Sequence, residues 1–285
     1  MALTDNLQAF YKLSDTSDLS GNNRTLTNNG NVSFASGKLG NAAVFDGATE
    51  KYFTGAIGLS DSNFSVSLWM NPDNSNQFRS GVFCINTYAD GLLFRYGGAQ
   101  DQLYLFGNYA PDFWGSTTTD IPANTWNHIV INGSNGVCTA YVNGVIKNTF
   151  PYDSGQTFGG SPYITIGAPS HALYEEHFNG QIDAVGIWNR ALSDAEVAEL
   201  YNSGTGLELD PPNYQGEWDN FAYYGQDDVV SVSGVFWKLT GLAGWTVGGA
   251  PGLGYGWTLL VQAPVGGRIS LSGRVSLSGR VKFAV

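Results

Sequence analysis

Hard cations take carboxylate, amide and backbone oxygens gathered by a turn, and Asp18-Leu-Ser-Gly-Asn22 offers all three within five residues. Asp18 and Asn22 are therefore expected either to ligate calcium or to build an Asx-type turn with the same oxygens. A second chemistry is stacking, because sugar C–H faces pack on aromatic rings while their hydroxyls bond to Asn, Asp and Gln. Tyr109, Phe113 and Trp114 share the loop Asn108-Tyr-Ala-Pro-Asp-Phe-Trp-Gly115, and Trp218, Trp245 and Tyr255 follow later; these six are the candidate glycan contacts. Trp69, Trp126, Trp188, Trp237 and Trp257 lie inside strand-like runs and are expected in cores. His171 and His177 flank Glu175-Glu176 in what reads as a surface loop, and His128 reads as structural. No Ser, Cys or His grouping has the makings of a triad, so no catalytic residue is assigned.

The elements that must position these groups are short alternating runs separated by Gly, Asn, Asp and Pro: Phe64–Met70, Gly91–Tyr96, Gln102–Phe106, Trp126–Ile131, Val137–Val142 and Tyr163–Ile166. Period two with frequent turns predicts an all-β antiparallel sandwich or barrel. Asn143-Gly144 between Tyr141-Val142 and Val145-Ile146 marks a tight hairpin. One helix is expected, from Ser193 to Tyr201, with Ser193 and Glu196 as a capping box and Gly204 as the stop. Pro211-Pro212 breaks both periodicities, which places a linker at 210–213 between a domain at 1–209 and a module at 214–262 holding four of the eight tryptophans. Residues 263–285 form a tail with a six-residue repeat, Arg268-Ile-Ser-Leu-Ser-Gly273 then Arg274-Val-Ser-Leu-Ser-Gly279. Its alternating apolar residues make strands with one sticky face and unpaired edges, suited to pairing with other chains. Cys84 and Cys138 read as buried apolar residues rather than a disulfide framework.

Charge narrows the partners. The 285 residues carry −11, and the tail's Arg268, Arg274, Arg280 and Lys282 leave 9 basic against 24 acidic residues, −15, in residues 1–263. Such a body argues against nucleic acid and suits a neutral polar ligand such as a glycan. Neither a signal peptide nor a membrane span is legible, so cytosolic synthesis without membrane insertion is expected.

The first segment resembles the laminin G-like, concanavalin A-like jelly roll domains. The resemblance rests on six motifs in the family's order: Asp18-Leu-Ser-Gly-Asn22, Lys38-Leu-Gly-Asn-Ala-Ala-Val-Phe-Asp-Gly47, Phe64-Ser-Val-Ser-Leu-Trp-Met-Asn-Pro72, Trp126-Asn-His-Ile-Val130, Tyr141-Val-Asn-Gly144, and Phe178-Asn-Gly-Gln-Ile-Asp-Ala-Val-Gly-Ile-Trp-Asn-Arg-Ala-Leu-Ser193. It implies a two-sheet jelly roll β-sandwich used for glycan binding, protein binding or, in some relatives, glycan cleavage. It also implies that Asp183, of the Ile-Asp-X-Val motif, can lie beside the Asp18–Asn22 loop at a metal; the other reading is that Asp183 caps backbone amides. Hydrolytic relatives need two carboxylates on one strand face, whereas Glu175 and Glu176 are sequential and no Glu-X-Asp-X-X-Glu run exists. The second segment is similar to small chitin- and cellulose-binding-type β modules that recur in bacteriophage structural proteins, through Tyr224-Gly-Gln-Asp-Asp-Val-Val-Ser-Val-Ser-Gly-Val-Phe-Trp237, Pro251 and Trp257-Thr-Leu-Leu260.

Together these features imply a non-enzymatic virion component: a head fibre, capsid decoration or tail appendage with a lectin-like head for host-surface glycans. It is expected to form a homo-oligomer, a trimer foremost, and to contact capsid or tail proteins. The rival expectations are a purely structural protein–protein component and, third, a polysaccharide-degrading enzyme.

Overall fold

The computed structural model describes residues 2–47, 51–59, 63–73, 80–86, 92–97, 102–107, 115–116, 121–151, 162–169 and 177–209, and the strands at 214–217, 229–232, 235–239 and 257–259. The chain divides into two compact units, Met1–Leu209 and Asp210–Val285.

In chain order the strands of the first unit are β1 (Leu7–Tyr11), β2 (Thr27–Asn29), β3 (Ser33–Ser36), β4 (Asn41–Asp46), β5 (Tyr52–Ala56), β6 (Asn63–Pro72), β7 (Ser80–Ile85), β8 (Leu92–Gly97), β9 (Gln102–Gly107), β10 (Gly115–Ser116), β11 (Asn127–Ser134), β12 (Val137–Val142), β13 (Val145–Pro151), β14 (Tyr163–Ile166) and β15 (Asn179–Trp188). They form an eight-stranded sheet, ordered β13-β12-β11-β6-β15-β4-β3 with β1 also on β15, and a seven-stranded sheet, ordered β10-β9-β8-β7-β14-β5-β2. Every pairing in both is antiparallel; of the sandwich or barrel that the alternating runs predict the chain forms the sandwich, the jelly roll that the resemblance implies.

Period two explains which residues fill the space between the sheets. In β6, Phe64, Val66, Leu68 and Met70 enter the core, so Ser65, Ser67, Trp69 and Asn71 take the opposite face. Phe53, Ile164, Ile166, Phe83, Ile85 and Phe94 meet them from the seven-stranded sheet. In β15 the core residues Ile182, Val185 and Ile187 break the period by one, and the structure absorbs the extra residue in a bulge between Asp183 and Gly186 with Ala184 at φ 48°. A Cβ on Gly186 would come within 2.4 Å of the Trp188 ring, which is why that position carries none.

The Asn143-Gly144 turn has both residues at positive φ, 52° and 76°, as the hairpin signal requires. Helix α1 (Asp194–Tyr201) carries the expected capping box from Ser193 and Glu196. Its end differs from expectation: left-handed Asn202, φ 46°, terminates the helix two residues before Gly204, because an Asn side chain tolerates that conformation. Trp126 also departs from expectation, standing half-buried rather than in a core. Trp69 and Trp188 are buried, on the outer face of the eight-stranded sheet, Trp188 with its indole N–H bonded to Leu3 O at 2.6 Å.

The second unit contains a four-stranded sheet of β16 (Tyr214–Glu217), β17 (Val229–Val232), β18 (Val235–Leu239) and β19 (Trp257–Leu259), parallel between β16 and β17 and antiparallel elsewhere. The hexad tail at 263–285 lies outside the described residues.

Candidate functional site

The eight-stranded sheet has its outer face occupied by the chain's own segments. Arg190 forks onto both carboxylate oxygens of Glu196, at 2.6 and 3.0 Å, and donates further to Ala2 O and Asp5 O, so helix α1 and the N-terminal residues are tied at one point. Arg190 is the first cause of a Glu196 carboxyl held down to about 2. Ser65 and Asn132 bond to each other and to Arg190 O and Leu192 O, extending the polar layer beneath the helix. Further along, Trp69 stacks with Tyr201 and lies against His128, and Lys38 sits 4.5 Å above the Trp69 ring while bonding to Gly204 O. His128 is buried with Nε2 at 2.9 Å from Ser67 Oγ, and burial pushes its pKa down to about 3, so the ring is neutral. A buried neutral imidazole under this cover has no route to a substrate.

The candidate calcium ligands serve backbone instead. Asp18 Oδ1 accepts from Phe10 N and Ser20 N, and Oδ2 from Ser20 Oγ and Arg24 N, all at 2.9 to 3.1 Å. Four donors use the four lone-pair directions a carboxylate has. Asn22 donates its amide to Leu7 O, Gln8 O and Ser20 Oγ. Asp183 has other partners: Oδ2 takes the amides of Lys38 and Leu39, each at 2.8 Å, and Oδ1 makes no hydrogen bond. The expected juxtaposition of Asp18, Asn22 and Asp183 about a cation does not fit these residues, since the first carboxylate is saturated and shares no partner with the second. Among the described residues no cluster of three or more His, Cys, Asp or Glu could hold a metal. Burial raises the Asp183 carboxyl to about 7, opposed by the Leu39 and Lys38 amides and by Lys12.

The seven-stranded sheet presents a different outer face. Register places Thr27, Thr54, Thr165, Cys84 and Leu93 in one row across β2, β5, β14, β7 and β8. The row runs from exposed at Thr27 to fully buried at Thr165, Cys84 and Leu93. The Cys84 thiol is pushed above its ordinary value by burial and is inert. Thr165 Oγ1 is buried without a hydrogen-bond partner. Next to this row Asn29 faces Tyr52, and Asn29 Nδ2 donates to Thr54 Oγ1 at 3.2 Å. The Tyr52 ring lies 6.4 Å from that of His177, tilted by 33°, and His177 is fixed by a bridge to Gly81 of β7. Tyr52, Thr54, Asn29 and His177 are all half-exposed. This polar and aromatic strip can offer a ring face and several hydrogen-bonding atoms at once.

Tyr109, Phe113, Trp114, Trp218, Trp245 and Tyr255, along with His171, Glu175 and Glu176, lie outside the described residues. The strip around Tyr52 was not singled out from sequence, although the alternation around Phe53 already sends Tyr52 and Thr54 outward. His177 could not be matched to it, because 125 positions separate the two residues and only the sheet order brings them together.

Residues 45–198, more than half of the chain, match the family model of the concanavalin A-like lectin/glucanases superfamily. A search of curated proteins gave no match. Similar solved structures include domain 4 of AbnA, a GH43 extracellular arabinanase from Geobacillus stearothermophilus, in complex with arabinotriose, at 24% identity and TM-score 0.53 over 71% of this chain and 98% of that one. The binding domain of Paraclostridial Mosquitocidal Protein 1 is similar at 22% identity and TM-score 0.57, and the receptor-binding domain of botulinum neurotoxin D at 14% and 0.58, each over 71% of this chain. This chain spans about half of those two toxin domains, 53% and 54%. A Trypanosoma rangeli sialidase also shares the fold, at 16% identity and TM-score 0.56 over 72% of this chain and 34% of that one. The sandwich, its sheet order and the family match agree, and the chain belongs to the concanavalin A-like lectin/glucanases superfamily.

Proposed function

We propose that this chain is a non-catalytic component of a bacteriophage particle, a head fibre, capsid decoration or tail appendage, whose jelly roll head binds host-surface glycans. The observation that carries the glycan reading is the contrast between the two outer sheet faces. One is occupied by helix α1, the N-terminal residues and segment 202–209; the other keeps Thr27, Asn29, Tyr52, Thr54 and His177 partly open at its β2–β5 side. A similar fold in a domain bound to arabinotriose, and in toxin receptor-binding domains, supports a binding rather than a turnover role. The virion assignment rests on the modular layout: an acidic head, a small β module similar to those of phage structural proteins, and a basic hexad tail suited to homo-oligomerisation or to docking on capsid or tail proteins. Full-length protein on a glycan array tests the head. Saturable binding without release of reducing sugar is expected, and turnover abolished by replacing a single acidic residue would replace this reading with a hydrolase.

A second reading, a purely structural protein–protein component, is favoured by one feature. Among the described residues the large hydrophobic side chains that stand exposed are Val137, Val145 and Ile146, all in the β12–β13 hairpin at the open edge of the eight-stranded sheet. Co-sedimentation of the full chain with its particle, with and without Ile146→Asp, separates attachment through this edge from attachment elsewhere.

A further inference from the structure

We propose that Tyr52 and His177 form the stacking platform on which the head seats one neutral sugar ring, with Asn29 and Thr54 as its hydrogen-bonding border; this rests on the glycan reading above.

The platform is rigid. Tyr52 lies in β5 with strands on both sides, facing Asn29 of β2, while His177 is held by its bridge to Gly81 and by Phe178, which is wholly buried in the core. Sites on strands hold geometry better than sites on loops, so little ordering cost falls on binding.

Several of its polar atoms make no hydrogen bond among the described residues. The buried Tyr11, Tyr96 and Tyr141 hydroxyls donate to Arg24 O, Ile121 O and Asp194 respectively. Tyr52 Oη and both ring nitrogens of His177 make no hydrogen bond with a described residue. Asn29 gives its amide protons to Thr54 Oγ1, Tyr52 O and Thr27 O, which leaves Oδ1 as an outward acceptor. Thr54 Oγ1 accepts from Asn29 and so keeps its own proton to give. Two rings with donors and acceptors at their border match a ligand that has an apolar C–H face and a ring of hydroxyls, which is the chemistry of a pyranose or furanose.

Charge sets the class further. Lys51, next to Tyr52 in the chain, pairs with Asp46 at 2.9 Å, and residues 1–263 as a whole carry −15, a field that disfavours anionic ligands. Neutral sugars are therefore preferred over sulfated or uronic ones.

The test uses the full chain. Neutral gluco-, galacto-, manno- and arabino-oligosaccharides are screened on an array together with uronic oligomers, and the strongest binder is titrated by calorimetry. Tyr52→Ala is expected to lower affinity about tenfold, the loss of one ring contact with its hydroxyl, and Tyr52→Phe less. As a readout independent of any variant's folding, the His177 ring signal of the wild-type protein should move saturably in a proton–carbon spectrum, while that of buried His128 stays. If wild type binds but Tyr52→Ala and His177→Ala bind equally well and the His177 signal is still, the platform is overturned and the glycan reading survives. Binding by wild type to none of these sugars overturns both. A preference for uronic oligomers overturns the neutral class.

Discussion

Asp183 shows how one side chain can be read correctly for type and incompletely for role. Its place in an Ile-Asp-X-Val motif left two readings open, a metal ligand and a cap on backbone amides, and Oδ2 accepts the amides of Lys38 and Leu39 as the second describes. What the sequence did not show is that the carboxyl is wholly buried with Oδ1 unbonded, because burial comes from loops 145 residues away in the chain. A carboxyl near 7 when folded, against the ordinary value near 4 when unfolded, holds a proton that the unfolded chain has lost. Its contribution to stability is thus complete below about pH 4 and falls as pH rises toward 7. His128, held near 3, works in the other direction below about pH 6.5, since the unfolded chain gains a proton that the folded one refuses. The two oppose each other, so the difference between wild type and Asp183→Asn isolates the carboxyl. Denaturation midpoints at pH 5 and pH 8 should show the variant losing ground at pH 5 and recovering on the order of 2 kcal/mol of that deficit at pH 8. An equal deficit at both values would mean that Asp183 is ionised throughout.

At the scale of elements, legibility followed locality. The hairpin at Asn143-Gly144 and the capping box of α1 are written in adjacent residues, and both formed as expected. The end of α1 did not, because Asn and Gly can each serve a left-handed cap and the nearer one was used. The Asp18–Asn22 loop was legible as a turn built of oxygens, but not as one already saturated, since two of its four donors, Phe10 N and Arg24 N, come from outside it. That saturation makes a prediction. Asp18→Ala removes the acceptor of three backbone amides, Phe10, Ser20 and Arg24, and of the Ser20 hydroxyl, and should cost about 2 kcal/mol, whereas a chelator should leave the wild-type melting temperature unchanged. A melting temperature that falls on chelation and returns with calcium would restore the coordination reading. The aromatic strip at Tyr52 went unread for a related reason: β5 is short, and its partner ring arrives from the far end of the domain.

For the whole molecule, charge is divided. Residues 1–263 carry −15 and the last 22 carry +4, so tail and body attract any complementary chain in opposite ways. On the proposed virion reading, removing residues 264–285 should lower the oligomeric state measured by light scattering and abolish co-sedimentation with the particle. Retention of both would move anchoring to the β module or to the apolar hairpin of β12 and β13. Alternation and turns are properties of the sequence itself and made an antiparallel sandwich or barrel readable, and the resemblance carried by six ordered motifs implied the two sheets. Which outer face stays open was not readable, since that depends on where the N-terminal residues and segment 202–209 come to rest.

The pairing of β15 has a consequence for how the chain acquires its shape. This strand bonds β6 along one edge and β4 then β1 along the other, and its last residue, Trp188, and Arg190 just beyond it reach back 185 positions to Leu3 and Asp5. During synthesis β1, β4 and β6 all leave the ribosome before the strand that joins them exists. The early chain therefore waits with open edges, and closure is a late, non-local event of high contact order, on the slow side of the millisecond-to-second range of β-sandwiches. A stalled or truncated product ending before Asn179 would lack the central strand of its larger sheet and be prone to edge-to-edge aggregation.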